Sequence, residues 1–240
     1  MKTIIIAAGI GSRIKEFTKK IPKSLIKINN KSILKRQIDL MKKNKIKKIS
    51  IVKGFKFKKI RYKNIKYFLN LNFKKNEQLD SFFYAKKFFD DDIIVTFSDI
   101  IYDEAILKKI IKSKSTFTIA VQKNWKSKYK KRFDHPLREA DKVIIKNNRI
   151  TQIGKKISTN KTSGEFLGIF KIKKKMSEIF IEEYKKLKKS QNTSKFQMHH
   201  FFQYLINKNI IIKPTYVLGK YMEIDTYNDF KIAKEIFNEI

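Results

Sequence analysis

The stretch from residue 3 to residue 27 constrains the fold more than any other part of the chain. It opens with an apolar run at residues 4–8, whose length and β-branched content are typical of a strand buried on both faces of a sheet. The run ends at Gly9, and Gly11 follows two residues later. Glycine tolerates positive φ and, because it has no Cβ, lets a phosphate approach backbone N–H groups closely. The pattern therefore predicts a buried strand whose end binds phosphate.

Two cations accompany this loop. Arg13 supplies a fork of N–H donors, and the pair Pro22-Lys23 brings a second cation back towards the same strand end. The pattern matches neither common phosphate motif, because Ile14 stands where a Rossmann loop needs a third glycine and no Gly-Lys-Ser/Thr follows. The two glycines alone leave an ordinary strand-to-loop turn open. Together with the cations they favour a cradle for a polyphosphate.

The composition indicates one α/β domain that spans residues 1–240. The chain is 42% hydrophobic with 20 Phe, which is ample core material for its length. Its lack of cysteine excludes disulfides and thiolate metal sites and leaves oxygen-ligated metals such as Mg²⁺. It has no run of about 20 uncharged apolar residues, so we expect no membrane insertion. The N-terminus has the pattern of a strand and loop rather than a signal peptide, and we expect a cytoplasmic protein.

The formal net charge of +35 is a value typical of nucleic-acid-binding proteins. Such proteins concentrate their charge on one face, however, whereas lysine here occurs in every segment and arginine at only six positions. We interpret most lysines as solvated surface and expect no specific nucleic-acid partner. A basic nucleic-acid-binding protein remains the non-enzyme alternative.

Apolar periodicity predicts an alternation of strands and helices with short links. A hairpin is expected over residues 142–153, because Asn147 and Asn148 accept positive φ at a two-residue turn. The pattern predicts an α/β, Rossmann-like three-layer fold with a mostly parallel central sheet and a small inserted β-hairpin. The predicted strands are 4–8, 49–52, 65–69, 93–97, 116–121, 164–170 and 210–217, and the predicted helices are 33–43, 79–89, 104–112, 177–187, 194–206 and a last one after Thr226.

Two aspartates occupy positions suited to binding a cation. Asp99 follows the strand at 93–97, and the carboxyl ends of parallel strands face the crevice in which α/β sheets bind ligands. Asp225 precedes the last helix, which Thr226 and Asp229 would start with a capping box. Carboxylates at such places are good Mg²⁺ ligands. The alternatives are a helix N-cap for Asp99 and a plain acidic residue before a helix for Asp225.

A less regular segment at 125–141 concentrates side chains suited to recognition, among them Arg132 and His135. His135 precedes a proline and is therefore expected in extended or turn conformation, with structural and substrate-contacting roles both open. The strand at 164–170 contains two glycines, which often mark a place where a ligand passes close.

Taken together, these motifs resemble the signature of the sugar-nucleotidyltransferase-like family. The matching residues are Gly9-x-Gly11-Ser12-Arg13, Thr18, Pro22-Lys23, Leu25, Ser32-Ile33-Leu34, Asp99, Gly164-Glu165-Phe166 and the Glu-Ile-Asp-Thr at 223–226. The chain departs from the family pattern at Glu16, where many members carry proline, and at Ser98, where a glycine often precedes the aspartate. The segment at 125–140 resembles a branch of cytidylyltransferases of phosphonate and surface-polysaccharide tailoring, including domains fused to phosphoenolpyruvate mutases. Choline-phosphate, aminoethylphosphonate and phosphoglutamine cytidylyltransferases are similar proteins.

The resemblance implies an Mg²⁺-dependent nucleotidyltransferase that moves CMP from CTP to a small anionic acceptor and releases pyrophosphate. The acceptor would carry a phosphate, phosphonate or phosphoramidate. A sugar-1-phosphate nucleotidyltransferase using UTP or dTTP is the alternative, and CMP-sugar synthetases fit less well. The oligomeric state stays open, with a homodimer as one option.

The resemblance also implies roles for individual residues. Arg13 would stabilise the leaving β- and γ-phosphates, and Lys23 would neutralise the α-phosphate. The remaining site residues are expected as nucleotide contacts (Ala7, Ala8, Gly9, Gly11, Ser12, Asn76 and Ser81), Mg²⁺ ligands (Asp99 and Asp225) and substrate contacts (Glu165, Lys156, Arg132 and His135).

Overall fold

The fold was obtained as a computed structural model that describes residues 1–238. The strands are β1 (Lys2–Ala7), β2 (Lys27–Ile28), β3 (Lys31–Ser32), β4 (Lys48–Lys53), β5 (Lys66–Leu69), β6 (Ile93–Phe97), β7 (Ile100–Tyr102), β8 (Phe117–Gln122), β9 (Lys142–Lys146), β10 (Arg149–Gly154), β11 (Gly164–Ile172), β12 (Lys213–Tyr216) and β13 (Tyr221–Glu223). The helices are α1 (Lys15–Thr18), α2 (Ile33–Lys43), α3 (Gln78–Phe83), α4 (Glu104–Lys112), α5 (Lys126–Tyr129), α6 (Ser177–Ser190), α7 (Met198–Asn207) and α8 (Tyr227–Ile236).

One large sheet organises the described residues. Its strands follow the order β10-β9-β11-β6-β1-β4-β5, and β8 joins β11 to β12. The pairs of β1 with β4 and β6, of β4 with β5, and of β8 with β12 are parallel, whereas β11 is antiparallel to all of its neighbours. The predicted α/β fold with a mostly parallel central sheet is confirmed, with a few additional antiparallel strands.

Strand β1 shows why the fold has three layers. All six of its residues are buried, and alternate side chains point to opposite faces of a strand. Ile4 and Ile6 pack in a core with helices α3, α6 and α7, whereas Ile5 and Ala7 pack in a second core with α2 and α4. An uninterrupted apolar strand is thus covered by helices on both sides.

Several predicted elements have the expected bounds. Helices α2 and α4 coincide with the predictions, and the hairpin β9–β10 turns at Asn147 and Asn148, whose φ angles are 48° and 54°. The hairpin extends the main sheet, however, because β9 pairs with β11. The "inserted" hairpin is therefore part of the central layer.

Three elements are shorter than predicted. Helix α3 ends at Phe83, and a 3-10 turn at Lys86–Phe88 follows it. A continuous α-helix would separate Phe82 and Phe89 by about 10 Å along its axis. The 3-10 turn changes the chain path, and the ring centroids of these two residues lie 4.8 Å apart.

The other two differences lie later in the chain. Helix α7 begins at Met198 rather than at 194, because Gln197 caps it through a hydrogen bond from its backbone N–H to Nδ1 of His200. Strand β12 is shorter than the predicted strand at 210–217 and starts at Lys213. Within residues 1–238 we find no helix that is both long and apolar enough to cross a membrane.

Candidate active site

A large cavity of about 1120 Å³ lies at the carboxyl ends of β1 and β6. This volume exceeds that of most small-molecule sites and would hold a nucleotide together with a second ligand. Many of the residues that the sequence predicts for the site line its wall: Ala7, Ala8, Gly9, Gly11, Ser12, Arg13, Lys23, Asn76, Ser81, Asp99 and Asp225.

Contacts with Lys23 and Thr18 fix the conformation of the glycine loop at residues 9–11. Gly11 has a φ of 69°, in the left-handed region that favours glycine, and a Cβ there would lie 3.0 Å from Cβ of Lys23. The Thr18 hydroxyl donates hydrogen bonds to the carbonyl oxygens of Gly11 and Ile14, at 3.1 and 3.3 Å. This loop is therefore preformed rather than dependent on a ligand.

The cavity side of the same loop is open. A Cβ built on Gly9 meets no atom within 4 Å. The backbone N–H groups of residues 9–11 donate no hydrogen bond to any part of the chain that the structure describes. Unpaired N–H groups along a loop that lines a cavity form an anion-binding concavity.

The two predicted metal ligands lie beside each other, although they are far apart in sequence. The short strands β7 and β13 pair antiparallel, and the backbone N–H of Ile224 donates to the carbonyl of Asp99 at 2.9 Å. Nζ of Lys23 then contacts both carboxylates, with 3.0 Å to Oδ2 of Asp99 and a shorter hydrogen bond to Oδ1 of Asp225. An ammonium group thus bridges the two aspartates at the cavity wall.

Charge pairing fixes the ionisation of these groups. Burial disfavours a charged Lys23, but the negative charges of Asp99 and Asp225 more than offset it and raise the pKa of Lys23 above its usual value. Burial likewise opposes ionisation of Asp225, yet the charges of Lys23 and Arg13 lower its pKa well below the usual value. The Arg13 guanidinium lies 2.6 Å from Oδ2 of Asp225. Lys23 and Asp225 are therefore both charged at neutral pH.

The buried ion pair of Arg132 and Asp229 fixes the backbone at Asp225. Asp229 accepts hydrogen bonds from the backbone N–H groups of Asp225 and Thr226, both at 3.0 Å, and it forms the predicted capping box with Thr226. Arg132 in turn donates to both oxygens of Asp229, at 2.7 and 3.1 Å. Arg132, predicted as a substrate contact, is buried in this pair and does not line the large cavity.

His135 is buried beside the same carboxylates. Its Nδ1 lies 3.6 Å from Asp225 and its Nε2 lies 3.8 Å from Glu223, and neither nitrogen makes a hydrogen bond within residues 1–238. Burial and the charge of Arg132 lower the pKa of His135 to about 4. Burial and the nearby Asp225 raise the pKa of Glu223 well above its usual value. At neutral pH the imidazole is therefore neutral.

These residues fit a divalent cation. Ligand atoms of His135, Glu223 and Asp225 lie within 4.8 Å of one another, and Oδ1 of Asp99 is buried without a hydrogen-bond partner among the described residues. Such an oxygen-rich donor set, partly unpartnered, is of the kind that Mg²⁺ prefers.

Asn76 and Ser81, predicted as nucleotide contacts, form a hydrogen-bonded group around Asn70. The fully buried Asn70 amide donates to Oδ1 of Asn76 at 2.8 Å and to Oγ of Ser81 at 2.9 Å. The sequence analysis missed Asn70, although its position directly after strand β5 marks it as a polar residue at a strand end. It fixes both predicted side chains at the cavity wall.

None of the four predicted substrate contacts lines the large cavity: Glu165, Lys156, Arg132 and His135. Glu165 is buried, accepts a hydrogen bond from the Tyr129 hydroxyl at 2.6 Å, and has a pKa that burial raises to about 7. Lys156 lines a smaller cavity, whereas its neighbour Lys155 lines the large one. The sequence analysis also missed Glu223 and Asp229 as site residues, because their contacts depend on tertiary folding.

Comparisons with known proteins agree with this geometry. A family model described as Nucleotidyl transferase matches residues 2–209. A CTP:phosphoglutamine cytidylyltransferase from Campylobacter jejuni is 30% identical over an alignment of 252 residues. The alignment covers 98% of this chain and 100% of that protein. The chain belongs to the nucleotidyl transferase family.

Solved structures share the fold at low sequence identity. An inositol-1-phosphate CTP transferase from T. maritima superposes with a TM-score of 0.77 at 19% identity, over 100% of this chain and 97% of that one. A CTP:phosphocholine cytidylyltransferase from Streptococcus pneumoniae superposes with a TM-score of 0.75 at 18% identity, over 98% of each chain.

Proposed function

We propose that this chain transfers a cytidylyl group from CTP to a phosphorylated small molecule and releases pyrophosphate. One observation carries the proposal: a single cavity holds a loop of unpaired backbone N–H groups, two cations and a pair of aspartates. This is the equipment that a phosphoryl-type transfer needs, since its catalysis consists mainly of positioning and charge neutralisation. The cytidylyl specificity is supported by the relative that acts on phosphoglutamine.

The reaction would be an in-line displacement at the α-phosphorus of CTP. An oxygen of the acceptor's phosphate attacks the α-phosphorus, the bond from that phosphorus to the bridging oxygen breaks, and pyrophosphate leaves with the electron pair. The attacking oxygen is already ionised at neutral pH, so the step needs no dedicated base.

The chain's own residues would then have distinct tasks. The N–H groups of residues 9–11 bind the triphosphate, and Arg13 at the exposed mouth of the cavity neutralises its leaving end. Lys23, whose ammonium is held in the wall, stabilises charge at the α-phosphate. Asn76 and Ser81, fixed by Asn70, contact the base.

Asp99 and Asp225 would hold Mg²⁺, which when bound neutralises part of the nucleotide's charge. Arg132 and Asp229 would support these two ligands indirectly, because the ion pair of Arg132 and Asp229 fixes the backbone of Asp225. We therefore assign Arg132 a positioning role, together with Asp229, rather than direct contact with substrate.

The test is pyrophosphate release with Mg²⁺ for each of the four ribonucleoside triphosphates and dTTP against a panel of acceptors. The panel holds phosphoglutamine, phosphocholine, 2-aminoethylphosphonate, glycerol phosphate and glucose-1-phosphate. The proposal expects turnover with CTP and a non-sugar acceptor, and its loss in Asp225→Asn. Turnover restricted to UTP or dTTP with glucose-1-phosphate would refute the cytidylyl assignment.

A further inference from the structure

A second cavity, of about 450 Å³, adjoins the large one. Arg138, Glu139 and Lys155 contribute to the walls of both cavities. The small cavity is an open depression whose wall also includes Lys142, Lys156 and residues 157–159. A ligand bound beside Lys155 in the large cavity can therefore extend past these shared residues into the small one.

The wall of the small cavity is strongly basic. It contains the cations of Arg138, Lys142, Lys155 and Lys156 and the single carboxylate of Glu139. That carboxylate is already paired, because Oε2 of Glu139 lies 3.0 Å from Nζ of Lys155. Lys142 serves the structure: its buried ammonium donates to the carbonyl oxygens of residues 137, 138 and 140 at 3.5, 3.3 and 3.2 Å.

The other polar side chains of this wall have no partner among the described residues. Neither the guanidinium of Arg138 nor the ammonium of Lys156 makes a hydrogen bond or ion pair within residues 1–238. The hydroxyls of Ser158 and Thr159 likewise have no hydrogen bond to the described residues. Two free cations and two free hydroxyls around one small cavity are suited to an anion, and a guanidinium binds a carboxylate through two parallel hydrogen bonds.

The same wall does not suit a cationic group. Proteins recognise quaternary ammonium groups with aromatic faces, and no residue that lines the small cavity is aromatic. The aromatic residues closest in sequence, Phe133 and Phe166, line neither cavity.

We propose that the small cavity binds the far end of the acceptor and selects acceptors that carry a carboxylate. This inference rests on the proposed function for the reaction at the acceptor's phosphate. Arg138 and Lys156 are the specificity-determining residues. They bind the carboxylate equally well before and during the reaction, so they govern KM rather than kcat.

The test compares acceptors that differ only in the carboxylate. Phosphoglutamine is measured against its α-carboxamide, and 2-amino-3-phosphonopropionate against 2-aminoethylphosphonate, by pyrophosphate release with CTP and Mg²⁺. In the wild type, we expect kcat/KM to be roughly tenfold to a hundredfold higher for the carboxylate member of at least one pair. The double variant Arg138→Ala/Lys156→Ala should lose this preference through a raised KM, with kcat kept.

The double variant Lys146→Ala/Arg149→Ala is the matched control. It removes one lysine and one arginine from the exposed end of the hairpin β9–β10, where neither lines a cavity. It should retain the preference. Equal turnover of both members of each pair in the wild type, or a preference that survives in Arg138→Ala/Lys156→Ala, overturns the inference.

The outcomes separate this inference from the proposed function. Turnover with CTP that favours phosphocholine leaves the function intact and overturns the subsite. If no acceptor releases pyrophosphate, the function fails, and calorimetric titration with phosphoglutamine and its α-carboxamide decides the subsite. Binding of phosphoglutamine alone, lost in Arg138→Ala/Lys156→Ala, supports it, and equal or absent binding of both compounds overturns it.

Discussion

Replacing Gly9 and Gly11 by alanine separates ligand binding from folding within one loop. A Cβ built on Gly9 meets no atom within 4 Å, and the φ angle of Gly9 lies outside the range of +20° to +160°. An alanine at this position therefore causes neither a steric clash nor backbone strain. The Gly9→Ala variant should be as stable as the wild type or more stable by about 0.4–1 kcal/mol, because alanine restricts the unfolded chain. The methyl group occupies the space through which a phosphate must approach the N–H groups. We expect CTP affinity to fall roughly tenfold to a hundredfold, the loss of one hydrogen bond to a charged group.

Gly11→Ala should behave in the opposite way. Its φ of 69° costs a residue with a Cβ about 1–2 kcal/mol, and the new Cβ would lie 3.0–3.2 Å from Lys23 and Thr18. The midpoint of thermal unfolding should therefore fall by about 2–8 °C.

The assay is calorimetric titration with CTP and Mg²⁺ beside urea unfolding of each variant. Wild-type CTP affinity in a stable Gly9→Ala variant would refute the assignment of this loop as the phosphate site.

Three further predictions concern the buried charges. Asp225→Asn should lower kcat roughly 10²–10³-fold, and unchanged kcat in steady-state pyrophosphate release would contradict its assignment as a metal ligand. Arg132→Met leaves the fully buried Asp229 unpaired and should lower the free energy of unfolding in urea by about 3–5 kcal/mol, whereas Arg149→Met on the exposed hairpin should change it by less than about 0.5 kcal/mol. Equal effects of these two variants would refute the role of the pair. Because burial raises the pKa of Glu165 from 4.5 to about 7, the folded state binds its proton more tightly than the unfolded state does. Wild-type stability should therefore fall relative to Glu165→Gln by about 3 kcal/mol as pH rises from 4.5 through 7, and a pH-independent difference between the two would contradict the shifted pKa.

Local signals in the sequence predict much of the fold. Residues 33–43 and 142–153 became a helix and a hairpin with the expected bounds, because apolar spacing and two asparagines at a turn act over a few residues. The start of the last helix could also be predicted, since Thr226 and Asp229 cap it within one turn. Helix α3 was predicted too long because the packing of Phe89 onto Phe82, a tertiary contact, overrides the helical periodicity.

The candidate site is less accessible to sequence reasoning. Asp99 and Asp225 could be proposed from their places at a strand end and before a helix. Their proximity results from the pairing of β7 with β13, and the contact of Lys23 with both is a further tertiary feature. The burial of Arg132 against Asp229 likewise depends on two segments that meet only in the folded chain. A polar residue in an irregular segment gives no sign of whether it faces a cavity or an ion pair.

The most direct test of nucleotidyl transfer is the identity of the product. The protein is incubated with CTP, Mg²⁺ and phosphoglutamine, and the mixture is analysed by mass spectrometry and ³¹P NMR. The account predicts a compound in which CMP is joined to the acceptor's phosphate, formed in equal amount with pyrophosphate. Conversion of CTP to CDP with phosphate transferred or released would show attack at the γ-phosphorus and contradict it.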